Sequence, residues 1–281
     1  MALVWLITGT SSGFGTEFAK QLISRGDKVI ATARNQSNIA HLKDLGTEVM
    51  TLDITSPQSE LNAKAAEEIA LFGRVDVLVN NAGFAHFGFC EDMSNDDDVK
   101  QFNTNVFGTI NTTREFLPHF RARKTGTIVN IGSLSAWASY PGLGAYAASK
   151  AALRHHTEAL NQEVSSIGIR MMLVEPGQFR TEALSPTNSV FAEPYIEEYE
   201  ALAQTTFGTF RKAHGNQRGD PQKGVARIID VVKWENGAAG RPFPRELALG
   251  PDAVAGIRKK CEETLRMLKD WEEFSCSTDF A

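Results

Sequence analysis

The first two thirds of the chain alternate short, strongly apolar runs with longer segments of helical periodicity. Strands that alternate with helices form right-handed βαβ units, and such units build a parallel sheet. Several of the runs are hydrophobic almost throughout, as strands covered by helices on both faces are. The pattern therefore predicts a doubly wound α/β fold with a mainly parallel sheet of seven strands. The predicted strands are Leu3–Thr8, Lys28–Ala33, Glu48–Leu52, Val75–Asn80, Thr127–Ile131, Ile169–Val174 and Glu246–Leu249. The predicted helices are about Gly13–Arg25, Gln36–Leu45, Pro57–Phe72, Asp96–Phe120, Gly144–Ile167, Pro221–Trp234 and Pro251–Trp271.

The size and composition of the chain favour one domain. It has 281 residues, of which 42% are hydrophobic and 22% are charged, so one large core can be built. Proline and glycine interrupt the pattern after Pro176, and we expect about 178–220 to cover a site. We expect about 250–281 to form a C-terminal helical extension.

Charge and apolar patterning exclude several classes of partner. The net charge is −5 and no long basic run occurs, which argues against a nucleic-acid partner. No apolar stretch is long enough to span a bilayer, and the chain enters its first strand without a cleavable leader, so we expect a cytoplasmic protein. Cys90, Cys261 and Cys276 lack metal-ligand spacing, which favours reduced thiols. The acidic run at residues 96–98 begins a predicted helix and complements its dipole, so no metal site is predicted.

A glycine-rich turn joins the first strand to the first helix. Thr8-Gly9-Thr10-Ser11-Ser12-Gly13-Phe14-Gly15 has glycines where a backbone must approach a pyrophosphate, and the helix that follows offers free N–H groups and a positive dipole end. A merely tight strand-to-helix turn is the alternative. The position of the turn favours a dinucleotide site.

The residue at the end of the second strand indicates which dinucleotide binds. An NAD-specific site of this architecture usually has Asp or Glu there to bind the ribose 2′-hydroxyl, but this chain has Arg34. A guanidinium suits a 2′-phosphate, so NADP(H) is favoured over NAD(H). The alternative is an arginine that only faces solvent.

Tyr146 and Lys150 are four residues apart on a predicted helix, which places a phenol beside an ammonium. A nearby cation stabilises phenolate, so we expect the pKa of Tyr146 to fall towards neutrality, where acid–base catalysis works best. The spacing alone is common on helices. Ser133, thirteen residues before Tyr146, and the glycine-rich turn make a catalytic interpretation the stronger one.

These motifs together resemble the short-chain dehydrogenase/reductase family. The turn at residues 8–15 is similar to its TGxxxGxG loop, residues 80–83 to its NNAG motif, and Pro176-Gly177 to its PG motif, while Asn105, Ser133, Tyr146 and Lys150 have the order and spacing of its catalytic tetrad. The resemblance covers nearly the whole chain and implies a single-domain Rossmann fold. It implies cofactor contacts at Gly9, Ser11, Ser12, Gly13, Phe14, Gly15, Arg34, Asp53, Ile54, Asn81, Ala82, Gly83, Tyr146, Lys150, Pro176, Gly177, Phe179 and Thr181.

The resemblance also implies a reaction. Hydride passes between C4 of the nicotinamide and a carbonyl carbon while Tyr146 gives its proton to the carbonyl oxygen and Ser133 stabilises the developing oxyanion. Lys150 would bind the nicotinamide ribose and lower the pKa of Tyr146, and Asn105 would hold a water beside Lys150. In reverse, the same groups oxidise an alcohol.

The residues that flank the motifs suggest the substrate. They are mostly apolar or aromatic, which suits a bulky apolar ketone. They are His86, Phe87, Leu134, Trp137, Tyr140, Phe179 and Leu184. Members of the family act on sterols, retinoids, sugars, acyl intermediates, quinones and secondary metabolites, and a ketoreductase of secondary metabolism is one role that the resemblance implies.

Two further expectations concern function and assembly. The alternative to a reductase is a dinucleotide-binding sensor or a scaffold for non-redox chemistry, although such relatives usually lose the tyrosine or the lysine. Family members generally form dimers or tetramers through the helices that correspond to Asp96–Phe120 and Gly144–Ile167, so a homodimer or homotetramer is expected.

Overall fold

The computed structural model describes residues 2–185, 189–192 and 196–280. The strands are β1 Val4–Ile7, β2 Lys28–Ala33, β3 Glu48–Thr51, β4 Val77–Asn80, β5 Ala85–Phe87, β6 Gly126–Ile131, β7 Ile169–Pro176, β8 Ser189–Phe191 and β9 Glu246–Leu249. The α-helices are α1 Gly13–Ser24, α2 Gln58–Phe72, α3 Asn95–Phe102, α4 Thr109–Arg123, α5 Gly144–Val164, α6 Glu200–Ala213, α7 Pro221–Lys233 and α8 Pro251–Ser275. Short 3₁₀ helices are Gln36–Leu45, Leu134–Ala136, Ser165–Ile167, Glu182–Leu184, Glu197–Tyr199, Asn236–Ala238 and Cys276–Thr278.

Seven of the strands form one parallel sheet in the order β3-β2-β1-β4-β6-β7-β9. The order runs outward in opposite directions from the β1–β4 pair, so the connections diverge there and leave a crevice at the carboxyl ends of these strands. The doubly wound, single-domain fold predicted from the sequence is confirmed. The exact bounds differ slightly, since β4 begins at Val77 and β7 continues to Pro176.

Two apolar layers cover the sheet, one on each face. In β1, Trp5 and Ile7 pack with α1 and α7, whereas Val4 and Leu6 pack on the opposite face with α2, α4 and α5. Side chains of a strand alternate between the faces of a sheet, so a continuous apolar run is what a strand buried on both sides requires. The core therefore holds the crevice between two rigid layers.

The helix expected over Asp96–Phe120 is divided in the structure. A π-helical segment, Asn103–Gly108, separates α3 from α4. Gly108 allows close packing there, because a Cβ at this position would lie 2.8 Å from Cγ1 of Ile54. Helical periodicity does not distinguish an α-helix from one with an inserted π turn, which is often found at functional sites.

The region expected to cover the site contains α6 and the short strand β8, which pairs in parallel with β5 as a separate two-stranded sheet. Parts of this region, residues 186–188 and 193–195, lie outside the described residues. Its function as a cover stays a prediction. The C-terminal extension is helix α8, and no helix in the described part of the chain is long and apolar enough to cross a membrane.

One buried carboxyl generates a test of the fold. Glu68 lies on α2 with 1% of its surface exposed, and burial raises its pKa from 4.5 to about 8. Because the folded protein holds this proton more tightly than the unfolded chain does, Glu68 costs stability progressively as the pH rises from about 4.5 to about 8.

We expect Glu68→Gln to raise the free energy of unfolding at neutral pH, with a gain over wild type that disappears below pH 4.5 and is constant above pH 8. Urea unfolding across this pH range measures it. Glu60→Gln makes the same change at an exposed position near the start of α2, away from Glu68, and is the matched control. A gain that did not change with pH would contradict the assignment.

Candidate active site

The glycine-rich turn forms a close backbone cradle at the start of α1. Gly9 and Gly13 have φ angles of 70° and 55°, which side chains other than glycine rarely adopt. A Cβ on Gly15 would overlap the carbonyl oxygen of Gly9 and come within 2.7 Å of Cα of Thr10. The three glycines are therefore required by the shape of the turn.

The NNAG segment is bound to this cradle from the neighbouring strand. The Thr8 hydroxyl accepts hydrogen bonds from the backbone N–H groups of Asn81 and Ala82, both at 3.0 Å. The Asn81 side-chain amide donates to the carbonyl oxygens of Thr8 and Gly9 at 2.9 Å each. These bonds join the carboxyl ends of β1 and β4 and hold the crevice in one shape.

The first turn of α1 fits an anion. The side chain of Ser12, the N-cap residue, makes no capping hydrogen bond, and the first turn carries no acidic residue. Its first backbone N–H groups thus have no partner within the helix, and the helix dipole adds positive potential. With the glycine cradle beside it, this end of the helix is suited to the pyrophosphate of a dinucleotide.

Arg34 and Asp53, two of the expected cofactor contacts, follow the neighbouring strands β2 and β3. Arg34 is exposed just after β2, and within residues 2–185, 189–192 and 196–280 its guanidinium makes no hydrogen bond or ion pair. Asp53 follows β3, and its Oδ1 accepts hydrogen bonds from N and Oγ1 of Thr55 at 2.9 and 2.7 Å. Ile54 beside it is buried.

Ser133, Tyr146 and Lys150 converge at the carboxyl end of β6. Nζ of Lys150 donates to the carbonyl oxygen of Ile131 at 2.8 Å and lies 5.8 Å from the centroid of the Tyr146 ring. The Ser133 hydroxyl accepts a hydrogen bond from N of Ser135 at 3.0 Å and lies close enough to the Tyr146 phenol to affect its pKa. A phenol, a hydroxyl donor and an ammonium thus face the same small region.

The expected lowering of the Tyr146 pKa is wrong for this structure. Burial raises the pKa of Tyr146, and the hydrogen bond from Ser133 opposes that shift only in part. Burial also lowers the pKa of Lys150 to about 8. The ammonium contacts a carbonyl oxygen rather than the phenol oxygen, so desolvation outweighs charge attraction.

Asn105 is placed by the π-helical segment. Its Oδ1 accepts from N of Phe84 at 3.1 Å, and its Nδ2 donates to the carbonyl oxygen of Phe84 at 3.0 Å and to Oγ of Ser149 at 3.1 Å. A Cβ on Gly83 would lie 3.1 Å from Oδ1 of Asn105 and 3.7 Å from Nζ of Lys150. Asn105 and Lys150 thus lie on the same side of the NNAG segment.

The PG segment lies against the glycine cradle. N of Gly177 donates to the carbonyl oxygen of Leu249 at 2.9 Å, which holds the segment to β9 after Pro176 ends β7. Beyond it, a Cβ on Gly13 would lie 3.2 Å from Cβ of Thr181. Thr181 is therefore brought beside the cradle, whereas the Phe179 ring packs edge-on against Phe14 with centroids 5.0 Å apart.

An apolar cluster adjoins the tyrosine. Tyr146 and Leu184 pack against it, and the position of Leu184 beside a substrate stays a prediction. We name it the aromatic cluster; its buried members are Phe87, Phe89, Leu143, Ala203 and Phe207, and Ala85, Phe191, Tyr199 and Phe210 pack against it. The Phe87 and Phe191 rings stack with centroids 4.7 Å apart.

Five of the seven residues expected near the substrate are not part of the aromatic cluster: His86, Leu134, Trp137, Tyr140 and Phe179. Nδ1 of His86 lies 3.6 Å from Oδ1 of Asp97, and burial lowers the pKa of this histidine. Tyr140 is 55% exposed. Nε1 of Trp137 donates to Oε2 of Glu175 at 2.8 Å.

Glu175 and Arg154 are site residues that the motifs did not identify. The Arg154 guanidinium lies 4.2 Å from the centroid of the Trp137 ring, and its Nε lies 3.4 Å from Oε1 of Glu175. Burial raises the pKa of Glu175. The available signal was a carboxylate that follows the apolar run Met171–Val174 in strand β7, directly before Pro176.

No group of three His, Cys, Asp or Glu side chains suited to a metal ion occurs among the residues that the structure describes.

Comparisons with known proteins agree with this geometry. The model of the short chain dehydrogenase family matches residues 3–190. Oxidoreductase BOA17 of Botryotinia fuckeliana strain B05.10 is 34% identical over 285 residues, which cover 99% of this chain and 100% of the relative. A short-chain dehydrogenase from Streptomyces avermitilis has a TM-score of 0.88 and 36% identity, with coverage of 99% of this chain and 98% of that chain. A serine dehydrogenase complexed with NADP+ has a TM-score of 0.73 and 28% identity, with coverage of 87% and 93% respectively.

The glycine cradle can be tested by filling it. We expect Gly15→Ala to weaken NADPH binding by more than about tenfold, because the added methyl meets backbone that cannot move aside cheaply. Fluorescence titration with NADPH measures the change. Gly208→Ala is the matched control, since a Cβ there meets nothing within 4 Å. Equal affinity in a folded Gly15→Ala variant would contradict a dinucleotide at this turn.

Proposed function

The chain belongs to the short-chain dehydrogenase family, and on this basis we propose that it is an NADP(H)-dependent oxidoreductase that reduces a bulky apolar ketone. The observation that carries the proposal is the convergence of Ser133, Tyr146 and Lys150 beside a glycine cradle that fits a pyrophosphate. The cofactor, when bound, supplies or accepts the hydride.

The three polar side chains have complementary roles in this proposal. The Tyr146 phenol transfers the proton to or from the substrate oxygen, and a protonated phenol is what ketone reduction requires. Its raised pKa keeps that proton in place at neutral pH. Ser133, which lies beside the phenol, donates its one hydroxyl proton in a hydrogen bond to the same substrate oxygen as negative charge develops there.

Lys150 acts on both the cofactor and the phenol. Its ammonium would bind the nicotinamide ribose and add positive charge beside Tyr146. Since burial lowers the pKa of Lys150 to about 8, this positive charge decreases as the pH rises through that value. Asn105, held by Phe84 and Ser149, would hold a water that connects Lys150 with solvent.

The aromatic cluster supports the substrate class. It lies on the side of Tyr146 where β5, β8 and α6 meet, and its members are almost all hydrocarbon. A pocket takes binding energy from such surface and orientation from a few polar groups. Leu184 and Phe87 therefore belong to the proposed substrate side, and Trp137, bonded to Glu175, helps to hold the segment after Ser133.

The preference for NADP(H) rests on Arg34. The guanidinium is exposed after β2 and makes no ion pair among the described residues, so it can bind a 2′-phosphate without breaking an existing interaction. We also propose that the protein works in the cytoplasm as a homo-oligomer. The exposed free thiols of Cys90, Cys261 and Cys276 support a reducing compartment.

Tyr146→Phe tests the chemical step. We expect turnover of an apolar ketone with NADPH to fall by about a hundredfold to ten-thousandfold, since the proton donor is lost, while NADPH binds with nearly unchanged affinity. Steady-state rates and fluorescence titration measure the two quantities. A variant that keeps the full cellular function would favour the sensor or non-redox scaffold instead.

Arg34→Ala tests the cofactor preference. Loss of a charge-assisted contact should raise the Michaelis constant for NADPH by about tenfold to a hundredfold and leave that for NADH nearly unchanged. Arg121→Ala removes the same charge from an exposed position on α4 and serves as the control. Equal effects of Arg34→Ala on the two cofactors would remove Arg34 from this role.

A further inference from the structure

Helix α8 leaves the body of the protein after its first turns. Ala253 is its only buried residue, and a Cβ on Gly256 would lie 2.8 Å from Cδ1 of Leu134. From Arg258 to its end at Ser275 every residue of the helix is exposed. The whole helix is about 37 Å long, so most of it extends beyond the core.

The exposed part carries large apolar side chains on one side. Their spacings of three and four residues place them along a single stripe of the helix surface. The stripe consists of Val254, Ile257, Cys261, Leu265, Leu268 and Trp271, with Met267 and Phe274 at its margin. Leu265, Trp271 and Phe274 are 66%, 58% and 73% exposed. A contiguous apolar surface of this kind marks an interaction site.

The stripe follows a heptad pattern. If Val254 occupies an a position, then Cys261 and Leu268 are also a positions, and Ile257 and Trp271 are d positions. The opposite side of the helix is charged, with an ion pair of 3.8 Å between Lys259 and Glu263. This is the pattern of a helix that pairs with another helix along one narrow seam.

The order of charges along α8 selects the partner and its direction. Arg258 near the start of the helix and Glu272 near its end are both e positions beside the seam, whereas Lys259, Glu263 and Glu273 lie on the outer side. Two parallel copies would keep the two Arg258 side chains at one end and the two Glu272 side chains at the other, whereas an antiparallel pair places Arg258 of each copy beside Glu272 of the other. The helix is therefore complementary to itself in one orientation.

The antiparallel arrangement also brings seam residues of one helix opposite seam residues of its partner. With Leu265 beside the partner's Leu265 at a two-fold axis, Cys261 faces the partner's Trp271, and Leu268 faces the partner's Thr264. Arg258 and the partner's Glu272 then flank these layers.

A lipid surface fits the helix less well. Residues 258–273 contain five basic and five acidic side chains, whereas helices that lie on anionic membranes carry a polar face rich in Lys and Arg. Balanced charge gives no net attraction to such a surface but suits pairing between two copies.

We propose that α8 is a self-association surface, through which two copies of the chain pair antiparallel about a two-fold axis near Leu265. This contact is separate from any pairing through α4 and α5. It does not depend on the proposed enzymatic activity, because it involves none of the residues of the candidate active site.

Sedimentation velocity of the full-length protein tests the proposal. We expect Leu268→Glu to halve the number of subunits in the assembly, from tetramer to dimer or from dimer to monomer. Arg258→Glu and Glu272→Arg should each weaken association by about tenfold, and the double variant should restore it to within about threefold. Arg266→Glu makes the same charge change on the outer side of the helix and should have no effect.

Disulfide trapping provides an independent measurement. In a background with Cys90, Cys261 and Cys276 replaced by serine, Leu265→Cys should form an interchain disulfide under mild oxidation, because the two-fold axis brings this position beside its own copy. Arg266→Cys is the control and should not crosslink. A monomeric wild type, an assembly unchanged by Leu268→Glu, or equal crosslinking at both positions would overturn the proposal. So would binding of wild-type protein to anionic phospholipid vesicles without self-association.

Discussion

One hydrogen bond organises the polar part of the site: the 2.8 Å contact between the Lys150 ammonium and the carbonyl oxygen of Ile131. It joins α5 to the end of β6, two residues before Ser133. Tyr146 lies one turn earlier on the same helix, so this bond fixes the phenol relative to the serine hydroxyl. The bond also compensates part of the cost of burying the ammonium, and the lowered pKa of Lys150 shows that much of this cost remains.

The backbone of the site could be predicted to a large extent from the sequence. The strand-to-glycine turn needs only local residues, and Ser133, Tyr146 and Lys150 are positioned by one strand and one helix. Side-chain directions were harder, since distant partners determine them. Trp137 is held by Glu175 and Arg154, which are far from it in the chain, so no local pattern showed that it lies outside the aromatic cluster.

The surroundings of two further side chains, Tyr146 and His86, were not evident from the sequence, for related physical reasons. Sequence spacing places a lysine beside a tyrosine but does not reveal how much water is removed from both, and desolvation determines the direction of the Tyr146 pKa. For His86, neighbouring motifs suggested a place beside the substrate. The pairing of β5 with β8 and the packing of α3 bring its ring near Asp97, a contact that the motifs did not show, and its place beside a substrate stays a prediction.

The π-helical segment Asn103–Gly108 limits how this part of the gene can change. Successive residues of an α-helix are rotated by about 100° around the helix axis. Deleting or inserting one residue between α3 and α4 would therefore rotate Asn105 away from Phe84 and Ser149, even if every apolar side chain were kept. Substitutions on the exposed side can accumulate there, but the length of the segment has to be inherited intact.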